Sequence, residues 1–347
     1  MEQRTLGNTG LNVSRLGVGL SEIGSLTDEK AAGQVLNAAL DGGITFLDTA
    51  ACYGVSEELI GRTVAHRRNE YVLASKCGHV TGGYEGVEWT APTVRDSIDR
   101  SLRRLQTDVI DLMQLHSCGV DVLERGEVIE ELQKAQQAGK VRFIGYSGDN
   151  EAAAWAVNSG LFATLQTSFN LVDQRARTQL FDKAKAQGMG IVVKRPIANA
   201  AWGATTSPSD YASEYFRRAQ IMQQDGPLPA ATENRVWLAL AFTLAHDAVD
   251  TAIVGTRNPA HMQANIDWLA TLPPLAPATS TGIAPALYNT TRTGANGDKL
   301  LLSRCTQWVP GLLAFIPKSV ENQSLHLPGR GRDCSVIAPI GGPFLEG

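Results

Sequence analysis

Four polar side chains of types that transfer and steer protons follow short apolar segments of the sequence. Asp48, Lys76 and His116 each end one such segment, and Tyr53 lies in a stretch of small residues five positions after Asp48. A Tyr has an ordinary pKa of about 10 and is a poor acid near neutrality. A nearby Lys ammonium would stabilise the phenolate and lower that pKa, and a carboxylate would hold the ammonium in place. A His could donate a hydrogen bond to the oxygen that receives the proton, so the four types suit a reaction at a carbonyl group.

Each of these residues also has an ordinary structural interpretation. An isolated Asp–Lys pair is most often structural, a Tyr beside a glycine is usually a loop residue, and His116 could be a core histidine. A Schiff-base aldolase that uses Lys76 is a further alternative, which Asp48 opposes because a carboxylate keeps the amine protonated. We favour the functional interpretation because all four residues fall at the same end of three consecutive predicted strands.

Short apolar strands alternate with helices along most of the chain. We predict strands at residues 14–20, 44–48, 71–76, 109–116, 141–146, 163–166, 190–194 and 250–254. We predict helices at residues 27–40, 57–66, 91–105, 124–138, 150–158, 174–187, 230–246 and 259–270. Eight alternating units of this kind indicate an α/β fold of the (β/α)8 TIM barrel class, with parallel strands and right-handed crossovers. A doubly wound open sheet is the alternative, but the first strand is not followed by a Gly-x-Gly-x-x-Gly turn.

Three segments lie outside this alternation. Residues 4–13 place turn residues between two alternating stretches, which indicates an N-terminal β-hairpin. Residues 195–229 make a connection long enough to be a lid or a binding segment. Residues 275–347 are rich in Pro, Gly, Ser and Thr, which indicates an irregular or partly disordered C-terminal tail. We therefore predict a barrel domain at residues 1–274 and an extension at residues 275–347.

A barrel of this class would bring the four polar residues together. Its active face lies at the C-terminal ends of the strands. Asp48 ends the second predicted strand, Tyr53 follows it, and Lys76 and His116 end the third and fourth strands. Adjacent strands lie about 4.8 Å apart, so these side chains can meet within about one side-chain length.

Composition limits the partners and the location that the sequence predicts. The 347 residues carry a formal net charge of −4 and no run of Lys or Arg, which disfavours nucleic acid or an anionic membrane as a partner. The absence of a long apolar stretch and of a Cys-x-x-Cys pair predicts a cytoplasmic protein with free thiols. Cys52, Cys77 and Cys118 each neighbour one of the four polar residues, but their spacing matches no metal site. We therefore expect small packing thiols and no metal.

The motifs around the four residues resemble those of the aldo-keto reductase family. They are Phe-Leu-Asp-Thr-Ala-Ala-Cys-Tyr-Gly at residues 46–54 with Ser56, Glu57 and Gly61, then Ala-Ser-Lys at 74–76, and Asp-Val-Ile-Asp at 108–111 leading to Leu115 and His116. The resemblance covers residues 4–270. It implies an NADP(H)-dependent carbonyl reductase on a (β/α)8 barrel, with Asp48, Tyr53, Lys76 and His116 as the catalytic tetrad.

The resemblance also implies which residues bind the cofactor. It places Ser147 and Gln166 beside the nicotinamide carboxamide, and Arg195 and Pro196 after the seventh strand, where Arg195 or Lys194 could reach the pyrophosphate. The remaining cofactor residues surround the start of the last helix, where free N–H groups favour an anion such as the adenosine 2′-phosphate. They are Gly255, Thr256, Arg257, His261 and Asn265.

Several positions differ from the family pattern. Gly148 stands where an Asn is frequent, and Lys194 stands where an aromatic residue commonly stacks on the nicotinamide. His261 replaces a common Arg, and Ala264 replaces a Glu that usually binds adenine. Arg257 could supply the positive charge at the 2′-phosphate, so we expect NADP as the cofactor, with NAD as the alternative.

The expected reaction is the reduction of an aldehyde or ketone, or oxidation of the corresponding alcohol or sugar. Trp89, in the loop after the third strand, is the predicted substrate contact. Other aromatic residues that could line the pocket are Tyr84, Trp202, Tyr211 and Tyr215. The alternative function is a cofactor-sensing regulatory subunit like the potassium-channel β proteins, which resemble the same family. The sequence specifies a small-molecule substrate in general, but neither its identity nor the oligomeric state.

Overall fold

The computed structural model describes residues 1–26, 28–224 and 234–271. An antiparallel hairpin comes first, with β1 (Gln3–Thr5) paired to β2 (Asn12–Ser14). The barrel strands are β3 (Leu16–Gly19), β4 (Phe46–Asp48), β5 (Val72–Cys77), β6 (Ile110–His116), β7 (Val141–Ser147), β8 (Thr164–Ser168), β9 (Gly190–Lys194) and β10 (Thr251–Val254). These eight strands are parallel and follow chain order around the barrel, which closes where β10 pairs with β3. The predicted (β/α)8 barrel with its N-terminal hairpin is confirmed.

Helices connect the strands and cover the outside of the barrel. They are α1 (Glu29–Asp41), α2 (Ser56–Val64), α3 (Ala91–Leu105), α4 (Val120–Arg125), α5 (Glu127–Gln137), α6 (Asn150–Ser159), α7 (Asp182–Ala186), α8 (Ser213–Gln224), α9 (Arg235–Leu244) and α10 (Pro259–Thr271). Helix α1 begins where the Asp28 side chain accepts a hydrogen bond from the Lys30 backbone N–H, as N-cap residues do. Within the described ranges, no helix is both long enough and apolar enough to cross a membrane.

The hairpin closes the N-terminal end of the barrel. Leu6 and Val13 of the hairpin are buried in one apolar cluster with Phe46 from the barrel interior. Gly7 has a φ of +53°, and a Cβ atom there would lie 2.2 Å from the backbone nitrogen of Gly190. Only glycine permits this approach of the hairpin to β9. The opposite, C-terminal end of the barrel is therefore the end available for polar side chains.

Two expectations about the connections are wrong in detail. The predicted loop at 195–229 contains α8, whose buried residues Tyr215, Ala219 and Met222 recur at helical spacing. The predicted helix at 174–187 starts with a π-helical turn at Arg177–Phe181 and continues as α7. Residues 230–233 of the last but one predicted helix, and the predicted tail at 275–347, lie outside the described residues. The domain boundary after residue 274 therefore remains a prediction.

Candidate active site

The C-terminal end of the barrel brings the four predicted catalytic side chains into one group. Asp48 and His116 are the last residues of β4 and β6, Lys76 lies in β5, and Tyr53 lies in the turn between β4 and α2. Lys76 Nζ donates a hydrogen bond to Asp48 Oδ2 at 2.6 Å and lies 4.9 Å from the centre of the Tyr53 ring. The centres of the Tyr53 and His116 rings are 5.6 Å apart. A phenol, an ammonium group and an imidazole thus surround one small volume.

Two glutamines and a backbone carbonyl fix the ion pair beneath the phenol. Lys76 Nζ also donates to the Thr49 carbonyl at 2.9 Å. Gln166 Nε2 donates to Asp48 Oδ2 at 3.1 Å, while Gln114 Nε2 donates to Asp48 Oδ1 at 3.4 Å and to Gln166 Oε1 at 2.9 Å. All five residues are buried. Gln114 was not among the predicted site residues, although a polar residue in the middle of an apolar strand was an available signal.

Electrostatics determine the protonation states of Lys76 and Tyr53. Burial lowers the pKa of Lys76, but the charge of Asp48, the interaction with Tyr53 and the hydrogen bond to Asp48 together outweigh this effect, so the Lys76 pKa lies above its ordinary value. Burial raises the pKa of Tyr53, and the Lys76 ammonium opposes that shift without reversing it. The expected net lowering of the Tyr53 pKa is therefore wrong, because desolvation of the phenolate exceeds its attraction to the cation. Near neutrality the structure holds a charged Lys76 beside a neutral Tyr53.

His116 is held as a neutral imidazole. Burial and the positive charge of Lys76 lower the pKa of His116 from its ordinary value to about 2. The His116 ring makes edge-to-face contacts with the Tyr53 ring and with the His79 ring, whose centre lies 5.3 Å away. The neutral ring carries a single N–H, so it can donate one hydrogen bond without adding a charge.

The loop after β5 places the predicted substrate contact Trp89 next to this group. Trp89 is half-buried, and its ring centre lies 4.7 Å from that of His79, which in turn contacts His116. Gly78 has a φ of +114°, and a Cβ atom there would overlap the Trp89 ring at 1.9 Å. His79 Nδ1 pairs with Glu88 Oε1 at 3.1 Å, which ties the two ends of the loop together. Trp89 and His79 therefore form one wall of the space in front of His116.

The other aromatic residues of the predicted pocket wall have different surroundings. Tyr84 donates to Asp96 of α3 at 2.8 Å, and the Arg100 guanidinium lies over its ring at 4.3 Å. Tyr84, in the loop after β5, thus packs against α3. Tyr211 is 68% exposed and stacks under the Arg195 guanidinium at 4.8 Å.

Lys194 and Arg195, the candidate contacts to the pyrophosphate, share one carboxylate. Lys194 Nζ lies 3.2 Å and Arg195 Nη1 lies 3.5 Å from Asp149 Oδ2. Asp149 also accepts from the Ser168 backbone N–H at 2.7 Å and from Thr167 Oγ1 at 2.9 Å. Burial opposes ionisation of Asp149, but Lys194 and these hydrogen bonds outweigh it and lower the Asp149 pKa. Two basic side chains thus meet one carboxylate at the ends of β7 and β9, and burial lowers the pKa of Lys194 although Asp149 opposes that shift.

Asp149 is the centre of this network, a role that no motif in the sequence indicated. Asp149 directly precedes α6, where a carboxylate commonly caps a helix, but its side chain makes no cap hydrogen bond there. Arg195 donates to Ser168 Oγ at 2.9 Å as well, so the Asp149 network fixes both cations in place.

Ser147 and Gln166 have hydrogen-bonding groups that no other described residue uses and that a carboxamide could bind. The Ser147 hydroxyl is buried and has no hydrogen-bond partner in the described part of the chain. Gln166 uses its carbonyl on Gln114 and one amide hydrogen on Asp48, which leaves a second amide hydrogen. An orphaned buried hydroxyl requires an explanation, and a bound amide would supply one. These two residues therefore fit a nicotinamide carboxamide.

The residues predicted to bind the far end of the cofactor lie after β10 and in the first turns of α10. Gly255, Arg257 and His261 are exposed, while Asn265 is buried. Arg257 Nε lies 3.9 Å from Glu22 Oε2, a distance near the upper limit for an ion pair. Arg257 and His261 are thus accessible beside a helix N-terminus, which fits a phosphate group.

Two further predicted residues and one missed residue complete this region. Pro196 is buried, and its carbonyl accepts from Thr243 Oγ1 at 3.2 Å. Thr256 Oγ1 accepts from the Asn258 backbone N–H at 3.0 Å. Asn258 Oδ1 in turn caps α10 at the Ala260 N–H, 2.9 Å away, a role that sequence analysis did not assign.

The thiols near the site do not form a metal centre. Cys52, Cys77 and Cys118 are free cysteines. Within residues 1–26, 28–224 and 234–271, no three His, Cys, Asp or Glu side chains lie together as metal ligands would. The four-residue group and the Asp149 network are therefore arrangements of hydrogen bonds and ion pairs.

Comparison with known proteins agrees with this geometry. The model of the Aldo/keto reductase family matches residues 15–274. L-galactose dehydrogenase of Arabidopsis thaliana is 29% identical over 281 residues, covering 77% of this chain and 87% of the plant protein. Aldo-keto reductase YhdN of Bacillus subtilis (strain 168) is 32% identical over 301 residues, covering 76% of this chain and 87% of its own length.

A solved structure supports the same relationship. The holo form of aldo-keto reductase AKR11C1 from Bacillus halodurans superposes with a TM-score of 0.71 at 27% identity, covering 84% of this chain and 99% of that one. The family resemblance predicted from the motifs is confirmed. This chain belongs to the aldo/keto reductase family and is an NAD(P)-dependent oxidoreductase.

Proposed function

We propose that this protein reduces an aldehyde or ketone, or oxidises the corresponding alcohol or sugar, with Tyr53 as the general acid and base. The observation that carries the proposal is the Lys76–Asp48 ion pair, at 2.6 Å, directly beneath the Tyr53 ring and beside the neutral His116. This is the arrangement that protonation of a carbonyl oxygen requires. The Lys185–Asp250 pair at the other end of the barrel has no titratable ring in comparable contact among the described residues.

The side chains have distinct roles in this proposal. In reduction, Tyr53 Oη donates its proton to the carbonyl oxygen, and the Lys76 ammonium stabilises the phenolate that forms. Asp48 keeps Lys76 charged and in place, and the His116 N–H donates a hydrogen bond to the same oxygen. A nicotinamide cofactor, when bound, supplies the hydride that the carbonyl carbon receives. In oxidation the Tyr53 phenolate accepts the hydroxyl proton, so the same group acts as a base.

The residues proposed to hold the cofactor divide into two sets. Ser147 and Gln166 would bind the carboxamide, which the unpartnered Ser147 hydroxyl supports. The basic side chains of Lys194 and Arg195, held by Asp149 next to Pro196, would face the anionic middle of the cofactor. The second set would bind the adenosine end and comprises Gly255, Thr256, Arg257, His261 and Asn265. Arg257 and His261 are exposed, and they favour NADP over NAD because NADP differs from NAD only by its charged 2′-phosphate.

The substrate is proposed to lie against Trp89. Trp89 and His79 present ring faces and edges in front of His116, which suits a small carbonyl compound or a sugar. The similarity to a protein named L-galactose dehydrogenase makes aldoses a class worth testing beside aromatic aldehydes.

The alternative functions receive less support. The relatives are named as dehydrogenases and reductases, which does not favour a regulatory subunit like the potassium-channel β proteins. The raised pKa of Lys76 keeps its amine protonated and therefore unreactive as a Schiff-base nucleophile.

Purified full-length protein tests the proposal directly. We expect it to consume NADPH with 4-nitrobenzaldehyde, and to bind NADPH more tightly than NADH in a fluorescence titration. Tighter binding of NADH would reject the assignment of Arg257 and His261 while leaving the reaction in place. Failure to turn over aromatic aldehydes, ketones and aldoses in either direction with both cofactors would reject the proposed reaction.

A further inference from the structure

Cys52 has no role in the reaction proposed above, although it lies within the group of catalytic side chains. It lies directly before Tyr53 in the turn after β4, and its Sγ atom is 3.2 Å from Nδ1 of His116. In the described part of the chain this is the only hydrogen bond of the His116 ring. Tyr53 and His79 also contact the ring, but they do so edge-to-face, with ring centres 5.6 and 5.3 Å away. These ring contacts restrict the plane of His116 without deciding which nitrogen carries the hydrogen.

Both partners of the Cys52–His116 contact are neutral. Burial and Lys76 lower the pKa of His116 to about 2, so the imidazole carries one hydrogen on one of its two nitrogens. Burial raises the pKa of the Cys52 thiol above its ordinary value, and the charge of Lys76 does not reverse that shift. The thiol therefore keeps its own hydrogen. The contact is either a thiol donating to Nδ1 or an Nδ1–H donating to sulfur.

The chemistry of the two acceptors distinguishes these cases. The lone pair of a neutral imidazole nitrogen is a good hydrogen-bond acceptor, whereas a thiol sulfur is a weak one. The hydrogen bond made by one ring nitrogen determines which tautomer a histidine adopts. A thiol that donates to Nδ1 leaves the ring hydrogen on Nε2, the nitrogen with no partner among the described residues.

We propose that Cys52 is a positioning residue for the reaction: its thiol donates to Nδ1 of His116 and keeps the ring hydrogen on Nε2, where it faces the substrate oxygen. This inference rests on the proposed function, because the benefit of an Nε2–H is a hydrogen bond to the carbonyl oxygen. It assigns Cys52 a role beyond that of a small packing thiol, which is all that sequence analysis expected of it.

The tautomer can be measured without any variant. Full-length protein labelled with 15N histidine would be studied by long-range 1H–15N correlation NMR, with His116→Gln used to assign the His116 signals. We expect the wild-type protein to show an unprotonated Nδ1 and a protonated Nε2 at His116 near neutral pH. A protonated Nδ1 with an unprotonated Nε2 would overturn the inference.

Variants of Cys52 then connect the tautomer to catalysis. Cys52→Ala removes the donor, and we expect mixed tautomer signals and a kcat for carbonyl reduction about three- to tenfold lower, the effect of one hydrogen bond. The KM for NADPH should not change. Cys52→Ser restores an O–H donor at the same position, so it should recover the single tautomer and most of kcat. A Cys52→Ala protein with the wild-type tautomer and kcat would overturn the inference.

The measurements separate this inference from the function on which it rests. If the wild-type protein reduces carbonyl compounds but carries its His116 hydrogen on Nδ1, the role of Cys52 is rejected and the proposed function stands. If the Nε2 tautomer is found in a protein that turns over no carbonyl or alcohol, the proposed function is rejected. The role of Cys52 in catalysis is then rejected with it.

Discussion

The two ends of the barrel each contain a Lys–Asp ion pair, yet the surroundings of the two pairs differ. At the C-terminal end, Lys76 and Asp48 meet at 2.6 Å beneath the Tyr53 ring. At the N-terminal end, Lys185 and Asp250 meet at 2.9 Å, and the second oxygen of Asp250 accepts from the backbone N–H of Ile191 in β9 at 2.8 Å. The first pair lies against the titratable ring of Tyr53, whereas the second pair joins a helix to a strand.

The same contrast holds for the other buried charges. Asp111 at the N-terminal end accepts from Arg68 and Arg142 at 2.7 Å each and from the Leu73 backbone N–H at 2.9 Å. These partners are permanent parts of the fold. At the C-terminal end, by contrast, the Ser147 hydroxyl and Nε2 of His116 have no partner among the described residues. Buried atoms without a partner in the described part of the chain also occur at the starts of β8 and β10, at Thr164 Oγ1 and Thr251 Oγ1. What distinguishes the C-terminal end is that an unpartnered nitrogen, His116 Nε2, belongs to a ring in contact with the Tyr53 ring.

The largest expected effect on catalysis within this comparison comes from replacing the lysine of the C-terminal pair. Lys76→Met should lower kcat about 10²- to 10⁴-fold, because the Tyr53 phenolate loses its stabilising cation. Lys185→Met is the matched control, and it should reduce thermal stability while its kcat remains within about twofold of the wild-type value. Steady-state kinetics and thermal unfolding of both variants measure the contrast. Equal losses of kcat in the two variants would remove the functional distinction between the ends.

A smaller effect is expected from the carboxylate at the N-terminal end. Asp111→Asn should lower the free energy of unfolding by about 1–3 kcal/mol, since two arginines lose a charged acceptor. Its kcat per folded molecule should not change. Asp108→Asn, an exposed neighbour, should change stability by less than about 0.5 kcal/mol. Urea unfolding measures both variants, and a large fall in kcat for Asp111→Asn would contradict the assignment of this end to stability alone.

The pH dependence of stability gives the smallest expected effect. The pKa of His116 falls from 6.5 to about 2 on folding, so below pH 6.5 the unfolded chain binds a proton that the folded protein rejects. Stability from this group is therefore complete above pH 6.5 and is lost as the pH falls, by about 1 kcal/mol per pH unit. His116→Gln should lose stability less steeply than the wild-type protein between pH 6.5 and 5. Identical slopes in the two proteins would show that His116 is not held neutral.

Much of the fold and the four-residue group could be predicted from the sequence because both depend on local patterns. Strand β9 was predicted at residues 190–194, and helix α3 at 91–105, as the structure has them. Asp48, Lys76 and His116 were recognisable because parallel strands bring their C-terminal ends to one face. The helix α8 was missed because its sparse apolar residues follow a long polar and small-residue stretch.

The network around the site could not be predicted because it depends on contacts between distant segments. Gln114 and Gln166 meet at Asp48 across 66 and 118 positions of the chain. Asp149, which follows β7, joins Lys194 and Arg195 at the end of β9, two strands away around the barrel. The balance between burial and the charge of Lys76 also decided the Tyr53 pKa, and burial becomes known only with the fold. Sequence order alone contains neither these distances nor the degree of desolvation.

The most direct test of the account is the removal of one hydroxyl group from each end of the barrel. Tyr53→Phe removes the proposed proton donor, whereas Tyr71→Phe removes a buried hydroxyl that donates only to the Val64 carbonyl, at 3.4 Å. We predict that Tyr53→Phe binds NADPH with wild-type affinity and loses about 10²- to 10⁴-fold in kcat, while Tyr71→Phe keeps its kcat. A Tyr53→Phe protein that reduces the carbonyl substrate at the wild-type rate would contradict the account.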